Sequence, residues 1–135
     1  LDRADQAIAL AAMVLAGHLG VRAIVALTES GATAQWLSRY RSSVPIYGMS
    51  PFGEARRRMQ VLRDVHPVEF SHGEQQSMAA STRAAVRMLF EQGKLAEGDR
   101  VVITYGDRVG QAGGTNTLKL LSVGADGIVD SLREL

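Results

Sequence analysis

The sequence has 135 residues, of which 46% are hydrophobic and 21% are charged, and it carries a formal net charge of +1. These values predict one globular domain and argue against a nucleic-acid partner, which usually requires a strongly basic surface. There is no cysteine, which excludes disulfides, iron–sulfur clusters and thiol chemistry, and which fits a reducing cytoplasm.

The first predicted element is a helix over residues 2–19, which contains the most apolar segment, AIALAAMVLAG. That segment is about half as long as a membrane span, so we predict no membrane association. Asp2 is placed to cap the helix and Gly20 to end it. The chain starts at Leu1 without an initiating methionine, which suggests a piece of a longer protein. One apolar stripe is formed by positions 4, 7, 8, 11, 12, 15 and 19.

A buried strand over residues 22–28 follows and ends in the hydroxyl-rich loop TESGAT, which leads into a helix over residues 32–41. Such a junction predicts an anion pocket, because backbone N–H groups and the helix dipole both favour negative charge at a helix start. Helix capping is another role for the hydroxyls of Thr28, Ser30 and Thr33, and the two roles are compatible.

The middle of the chain continues the alternation of strands and helices. VPIYGMS is the second predicted strand, and Ser50-Pro51 predicts the start of a helix that ends before Val65. VHPVEF is the third strand, and Pro67 predicts an edge position for it because proline cannot donate to a strand ladder. A long helix is predicted over residues 73–92, with Gly93 as its stop. Its inward-facing residues are predicted to be Met78, Ala85, Met88 and Leu89.

The last part of the chain contains two strands joined by a glycine-rich loop. RVVITYG is the fourth predicted strand, GDRVGQAGGTNT is the loop and LKLLSV is the fifth strand. The remaining residues, 125–135, predict a short terminal helix or a loose tail.

This order of elements predicts an α/β fold with three layers, α/β/α, in which helices cover both faces of a mainly parallel sheet. No helix separates the last two strands, so the fifth is predicted to run antiparallel. Right-handed crossovers then give a five-stranded mixed sheet of order 3-2-1-4-5. Because the winding reverses between strands 1 and 4, the TESGAT and glycine-rich loops are predicted to open into one crevice, where such sheets bind ligands.

The two loops and their surroundings resemble a known family. ALTESGATAQWLSRYRSSVPIYGMS, followed by GDRVVITYGDRVGQAGGTNTLKLLSV, is similar to the C-terminal domain of pyruvate kinases, and the similarity covers residues 1–124. In that family a strand ends in a T-x-S-G-x-T phosphate loop, and a glycine-rich loop ends in T-N-T. The resemblance implies the fold predicted above. It also implies a regulatory and assembly domain of a protein that transfers phosphoryl from phosphoenolpyruvate to ADP in glycolysis.

The resemblance further implies that this domain has no catalytic residue and no cofactor, since Mg²⁺ and K⁺ belong to a separate (β/α)₈ barrel in that family. It implies a phosphorylated allosteric effector and a homotetramer, with contacts through the last strand and the helices. The effector phosphate would be surrounded by Thr28, Glu29, Ser30, Gly31, Ala32 and Thr33. The covering loop, with Arg108 as its cation, would contain Gly106, Asp107, Arg108, Gly110, Gly113 and Gly114.

Two acids of that set bear on the identity of the effector. Glu29 and Asp107 stand where many bisphosphate-binding members have a hydroxyl and a tryptophan, and two acids near the crevice would repel a second phosphate. They therefore favour AMP or a sugar monophosphate over fructose 1,6-bisphosphate. The same acids also favour an alternative, a purely structural assembly domain with a vestigial effector site.

Several single motifs also have interpretations that involve no ligand binding. The glycine-rich loop by itself is equally consistent with a flexible turn. A free-standing phosphotransferase or phosphatase is disfavoured, because the sequence offers no nucleophile–base pair and its three histidines lack metal-ligand spacing. Arg56 to Arg58 predict a solvated helix face or an interdomain contact rather than a nucleic-acid patch, and Trp36 and Tyr40 predict packing.

Overall fold

The computed structural model describes residues 3–71, 73, 77–106, 114–127 and 129–131. Within these residues the helices are α1 (Ala4–Leu19), α2 (Ala32–Arg39), α3 (Gly53–Met59) and α4 (Met78–Glu91). The strands are β1 (Ala23–Leu27), β2 (Ile46–Ser50), β3 (Val65–Glu69), β4 (Arg100–Tyr105), β5 (Thr117–Val123) and β6 (Val129–Ser131).

The strands form one sheet of order β3-β2-β1-β4-β5-β6. β1 pairs in parallel with β2 and β4, β2 pairs in parallel with β3, and β4 pairs antiparallel with β5. The predicted order 3-2-1-4-5 and the antiparallel fifth strand are confirmed. Pro67 lies in the edge strand β3, also as predicted.

The sheet is covered on both faces, which confirms the three-layer arrangement. Ile24 and Ala26 of β1 belong to one core cluster, which includes buried residues of α1 and α2. Val25 and Leu27 belong to the other cluster, which includes Ala85, Val86 and Leu89 of α4. Because successive side chains of β1 point to opposite covered faces, the whole strand is apolar.

The tail differs from its prediction as a short helix or a loose end. A 3₁₀-type turn over Ala125–Gly127 leads into β6, which pairs antiparallel with β5 over Leu121–Val123. The predicted five-stranded sheet is thereby extended by a short sixth strand. Three residues of alternating pattern are too short a signal to predict a strand from the sequence.

The predicted stripe of α1 is only partly right: Ala12 is buried and Leu15 and Leu19 pack against the core, but Ala4, Ala7 and Ala11 are exposed. The buried residues of this helix are Asp5, Ala9, Ala12 and Ala16, whereas Leu10 and Val14 are about half exposed. Almost every position of α1 is apolar, so periodicity does not identify the inner face. Alanines face the domain, which allows α1 a close approach to it. Gly20, in the left-handed conformation, ends α1 as predicted; the predicted cap, Asp2, lies outside the described residues.

Two predicted helix starts are also displaced. Ser50 does not cap α3 but is the buried last residue of β2, and its hydroxyl accepts a hydrogen bond from the N–H of Phe52. The pairing of Ser50 with Glu69 in β3 extends the strand through this position. α4 begins at Met78 rather than at residue 73. Its N-cap is Ser77, whose hydroxyl accepts a hydrogen bond from the N–H of Ala80. Residues 74–76 lie outside the described part of the chain.

Candidate functional site

The TESGAT loop connects β1 to α2 at the carboxyl end of the sheet. The Thr28 hydroxyl is buried and accepts a hydrogen bond from the N–H of Gly31 at 2.9 Å. The Ser30 hydroxyl accepts from the N–H of Ala32 at 3.2 Å. These two hydroxyls therefore satisfy the N–H groups of Gly31 and Ala32 at the start of α2, although the N-cap residue itself is Gly31, which has no side chain.

Gly31 allows this loop to pack against α3. Its φ of +89° favours glycine, and a Cβ atom here would lie 3.0 Å from Cγ of the buried Met59. A side chain at this position would thus meet both backbone strain and a steric contact. The close contact with Met59 of α3 thus fixes the position of the loop.

The start of α2 leaves backbone donors available. Among the residues that the structure describes, the N–H groups of Thr33 and Ala34 have no acceptor. Unpaired N–H groups are expected in the first turn of a helix, and together with the helix dipole they attract anions. An anion bound at the end of β1, as the sequence predicts, would lie near these donors.

A hydrogen bond joins this loop to the end of the glycine-rich loop. The hydroxyls of Thr33 and Thr115 lie 2.6 Å apart, and their side chains are 1% and 6% exposed. The two residues are 82 positions apart in the sequence. Their contact brings together the two segments from which the sequence analysis builds the site.

The glycine-rich loop has a closed neck. A Cβ atom on Gly106 would lie 2.5 Å from the carbonyl oxygen of Gly114, so the backbones at the two ends of the loop are in direct contact. Next to the neck, the N–H of Asn116 donates to the carbonyl of Tyr105 at 3.1 Å. The two described ends of the loop, Gly106 and Gly114, therefore lie side by side, and the adjoining Thr115 contacts Thr33 of α2. The predicted site residues Asp107, Arg108, Gly110 and Gly113 lie outside the described residues.

Arg58 is a cation at the rim of the TESGAT loop that the sequence analysis did not assign to the site. Its guanidinium donates to the carbonyl of Ser30 at 3.1 Å and pairs with Glu54, also at 3.1 Å. It lines an open cavity of about 480 Å³ together with Ser30, Gly31, Ala32, Gln35, Met59, Val61 and Leu62. The run of three arginines was visible in the sequence, but its position beside α2 depends on how α3 packs.

Thr104 contributes a buried polar group near the carboxyl end of β4, which lies beside β1. Within the part of the chain that the structure describes, its hydroxyl has no hydrogen-bond partner. Thr104 lies opposite Ala26 of β1, shortly before the neck at Gly106. The sequence does not single out Thr104, because an apolar strand pattern does not reveal which hydroxyl will lack a partner.

Glu29, one of the two predicted acids, lies half-buried in the loop. Its backbone carbonyl accepts from the Ser50 hydroxyl at 3.3 Å, which ties the loop to the end of β2. Arg56 donates to the Ser50 carbonyl at 3.0 Å. Arg56 and Arg58 are thus engaged by carbonyl groups of the domain itself.

A second polar cluster joins α1 to the outer side of α2. The carboxylate of Asp5, 1% exposed, accepts from the Arg3 guanidinium at 2.8 and 3.1 Å and from the N–H of Gln6. The guanidinium groups of Arg3 and Arg39 lie over the Trp36 ring, 5.6 and 4.7 Å from its centre. The hydrogen bond from Arg3 lowers the pKa of Asp5, although burial opposes this. Trp36 therefore has the packing role predicted for it.

The described residues were also compared with the requirements of a metal site and of a membrane-spanning helix. No group of three histidine, aspartate or glutamate side chains there could hold a metal ion. No helix among them is both long and apolar enough to span a bilayer.

Comparisons with known proteins identify the family. Residues 6–121 match the family described as pyruvate kinase, alpha/beta domain. The chain is 41% identical over 123 residues to pyruvate kinase II of Salmonella typhimurium, an alignment that covers 90% of this chain and 25% of that protein. A pyruvate kinase of Buchnera aphidicola subsp. Acyrthosiphon pisum is 39% identical with the same coverage.

A more distant relative agrees. The chain is 38% identical over 107 residues to a pyruvate kinase of Staphylococcus aureus strain USA300, covering 79% of this chain and 18% of that protein. The chain thus spans about a quarter or less of the length of these relatives. The resemblance noted in the sequence is confirmed: the chain belongs to the pyruvate kinase family, as its C-terminal alpha/beta domain.

Proposed function

We propose that this domain binds a phosphorylated small-molecule effector and regulates the protein that contains it. The phosphate would lie on the loop Thr28–Thr33, against the first turn of α2, and the glycine-rich loop would cover it. The observation that carries this proposal is the 2.6 Å hydrogen bond between Thr33 and Thr115, because it couples the phosphate loop to the covering loop. A ligand held by one loop would thereby affect the other.

The available donors support a single phosphate. Thr33 and Ala34 supply N–H groups that have no acceptor among the described residues, and Arg58 adds a cation on the α3 side. Glu29 and Asp107 disfavour a second phosphate, because like charges repel. AMP or a sugar monophosphate is therefore preferred over fructose 1,6-bisphosphate.

Thermal unfolding tests the effector site. The probes are AMP, ribose 5-phosphate, glucose 6-phosphate, fructose 1,6-bisphosphate and inorganic phosphate. A ligand that binds only the folded state stabilises it by about 2.7 kcal/mol at a hundred times its dissociation constant. We expect the monophosphates to raise the melting temperature more than the bisphosphate does.

The variant Ala32→Asp separates binding from stability. A carboxylate in the first turn of α2 is favourable for the helix but repels a bound phosphate. We expect an unchanged or higher melting temperature without ligand and at least tenfold weaker ligand binding. Ala4→Asp, at the exposed start of α1, is the matched control and should keep the ligand response. An unchanged response in Ala32→Asp, or no response to any probe in the parent, would reject the effector site.

Subunit assembly is the second function that we propose, and a separate observation favours it. The outer face of α1 is apolar and lined by Ala7, Leu10, Ala11, Val14, Leu15, His18 and Leu19. These residues carry no acidic group or permanent positive charge, so two copies of the face meet without repulsion. Burial of half-exposed Leu10 and Val14 against a second copy would contribute to a homo-oligomer, with a tetramer as the expected state.

The activity of the whole protein is a proposal that rests on the family alone. The parent protein would transfer phosphoryl from phosphoenolpyruvate to ADP in the cytoplasm, using Mg²⁺ and K⁺ in a separate catalytic domain. The 135 residues would have no such activity. A coupled assay of pyruvate formation by the purified chain tests this, and turnover would favour a free-standing phosphotransferase instead.

A further inference from the structure

The short helix α3 directly contacts two consecutive residues of the TESGAT loop. The Arg58 guanidinium donates a hydrogen bond to the carbonyl of Ser30 at 3.1 Å. The buried Met59 side chain lies against the backbone of Gly31, where an added Cβ atom would be 3.0 Å from its Cγ. The position of this part of the loop therefore depends on α3.

A buried serine connects α3 to the preceding residue of the same loop. Ser50 is fully buried, and its hydroxyl donates to the carbonyl of Glu29 at 3.3 Å. The same hydroxyl accepts from the N–H of Phe52, the residue directly before α3, at 3.2 Å. The Ser50 carbonyl accepts from the Arg56 guanidinium of α3 at 3.0 Å. Three consecutive loop residues are thus held by α3, either directly or through Ser50.

These contacts orient two peptide units of the loop. The carbonyl groups of Glu29 and Ser30 are both held from the side of β2 and α3. The C=O and N–H groups of a trans peptide point in opposite directions, so the N–H of Ser30 points away from β2, and β4 adjoins the other side of β1. The N–H of Gly31 donates to the Thr28 hydroxyl at 2.9 Å, which leaves the hydrogen of that hydroxyl to donate elsewhere. The contacts with α3 therefore decide which way the donors of the loop point.

We propose that α3 is the positioning element of the TESGAT loop, so that phosphate binding and the local stability of α3 are coupled. This inference rests on the proposed function, because the ligand is the phosphate that the loop would hold. α3 has seven residues, and a helix of this length depends on its packing for stability. When α3 opens, the carbonyls of Glu29 and Ser30 are released and the donors of the loop lose their common orientation. By linkage, a bound phosphate stabilises α3.

Two substitutions of one residue separate helix stability from charge. Arg57 lies in the middle of α3 and is exposed. It lines a cavity on the side of Pro67 and Glu69, not the cavity at the TESGAT loop. Arg57→Gly weakens the helix, whereas Arg57→Ala removes the same charge and keeps the helix. Only the glycine variant should therefore affect ligand binding.

A second pair of variants changes no charge. Ser50→Ala removes the hydroxyl that holds the carbonyl of Glu29. Ser81→Ala is the matched control, because Ser81 is equally buried but lies in α4. The core cluster of α4 is on the opposite face of the sheet from the cluster that contains Met59 of α3. Both variants lose a buried hydroxyl, but only Ser50→Ala should release the loop.

The measurements are amide hydrogen exchange of α3 and calorimetric titration with AMP, ribose 5-phosphate and inorganic phosphate. We expect a bound probe to slow the exchange of α3 amides in the parent. Arg57→Gly and Ser50→Ala should bind the probe more weakly than the parent by about fivefold or more. Arg57→Ala and Ser81→Ala should bind it as the parent does.

The outcomes distinguish this inference from the proposed function. A parent that binds none of the probes would reject the effector site itself, and the role of α3 with it. A parent that binds a probe without slower exchange in α3, or with unchanged affinity in both Arg57→Gly and Ser50→Ala, would overturn the role of α3 alone. Equal weakening in Arg57→Ala would show an effect of charge and would also overturn it. Circular dichroism verifies folding, and if Ser50→Ala is unfolded, the two Arg57 variants decide.

Discussion

At the scale of single residues, the contact between Thr33 and Thr115 is the most informative one in the domain. Both hydroxyls are buried and lie 2.6 Å apart, so removal of one leaves the other without this partner. We expect Thr33→Val and Thr115→Val each to lower the free energy of unfolding by about 1–3 kcal/mol.

The double variant tests whether the two hydroxyls act as a pair. If they do, Thr33→Val with Thr115→Val costs less than the sum of the single variants, by about 1 kcal/mol. Urea unfolding of all four proteins measures this coupling. Simple additivity would show that the glycine-rich loop is not attached to α2 through this bond.

Asp5 predicts a pH dependence of stability. The Arg3 guanidinium lowers the pKa of this carboxyl in the folded state, so its contribution is present above the unfolded pKa of about 3.9 and is lost as the pH falls through the folded pKa. We expect Asp5→Asn to destabilise the domain by about 1–2 kcal/mol at pH 7.

The difference between parent and Asp5→Asn should begin to shrink as the pH falls below about 4, where the carboxyl of the unfolded chain becomes protonated, and it should be lost as the pH falls through the lower pKa of the folded state. Urea unfolding at pH 7, 5 and 3 checks this. A difference that stays constant over the three pH values would show that the ionised carboxylate does not contribute.

At the scale of elements, the packing of α3 on β2 requires that position 48 has no side chain. A Cβ atom on Gly48 would lie 2.3 Å from Sδ of Met59, which is fully buried and has little room to move. We expect Gly48→Ala to lower the free energy of unfolding by about 1–3 kcal/mol through this clash.

Gly17→Ala is the matched control for this element. Gly17 lies in α1, and an added Cβ atom would meet nothing within 4 Å. The substitution should raise the free energy of unfolding by about 0.5–1 kcal/mol, because alanine favours the helix. If urea unfolding finds Gly48→Ala as stable as the parent, α3 can shift away from β2. Such a shift would also move Arg58 relative to the TESGAT loop.

At the scale of the whole molecule, the outer face of α1 predicts assembly. Leu10 and Val14 are 49% and 54% exposed on one apolar surface. We expect Val14→Lys to weaken self-association at least tenfold, which corresponds to about 1.4 kcal/mol. Light scattering over a range of concentrations measures it.

Val61 provides the control for this prediction. It is 86% exposed, but it lies after α3 and away from the α1 face. Val61→Lys should leave the oligomeric state unchanged. Equal behaviour of the two lysine variants would exclude α1 as the assembly surface.

Much of the fold was predictable from local patterns. The apolar run at Ala23–Leu27, the edge proline Pro67 and the missing helix before β5 were sufficient for the strand order and for the antiparallel fifth strand. The hydroxyl side chains of Thr28 and Ser30 predicted a loop that hydrogen-bonds N–H groups at the start of α2. The same loop sequence also carried the family resemblance.

Other features depended on the tertiary structure. Neither the buried face of α1, nor the pairing of β6 with β5, nor the position of Arg58 beside Ser30 follows from the sequence around these residues. The Thr33–Thr115 bond spans 82 positions, and the neck at Gly106 exists only because Gly114 returns beside it. Periodicity, capping and turn preferences act over a few residues, and they determined the elements and their order. Which faces and ends meet is decided by packing between distant segments, and only the folded chain brings these together.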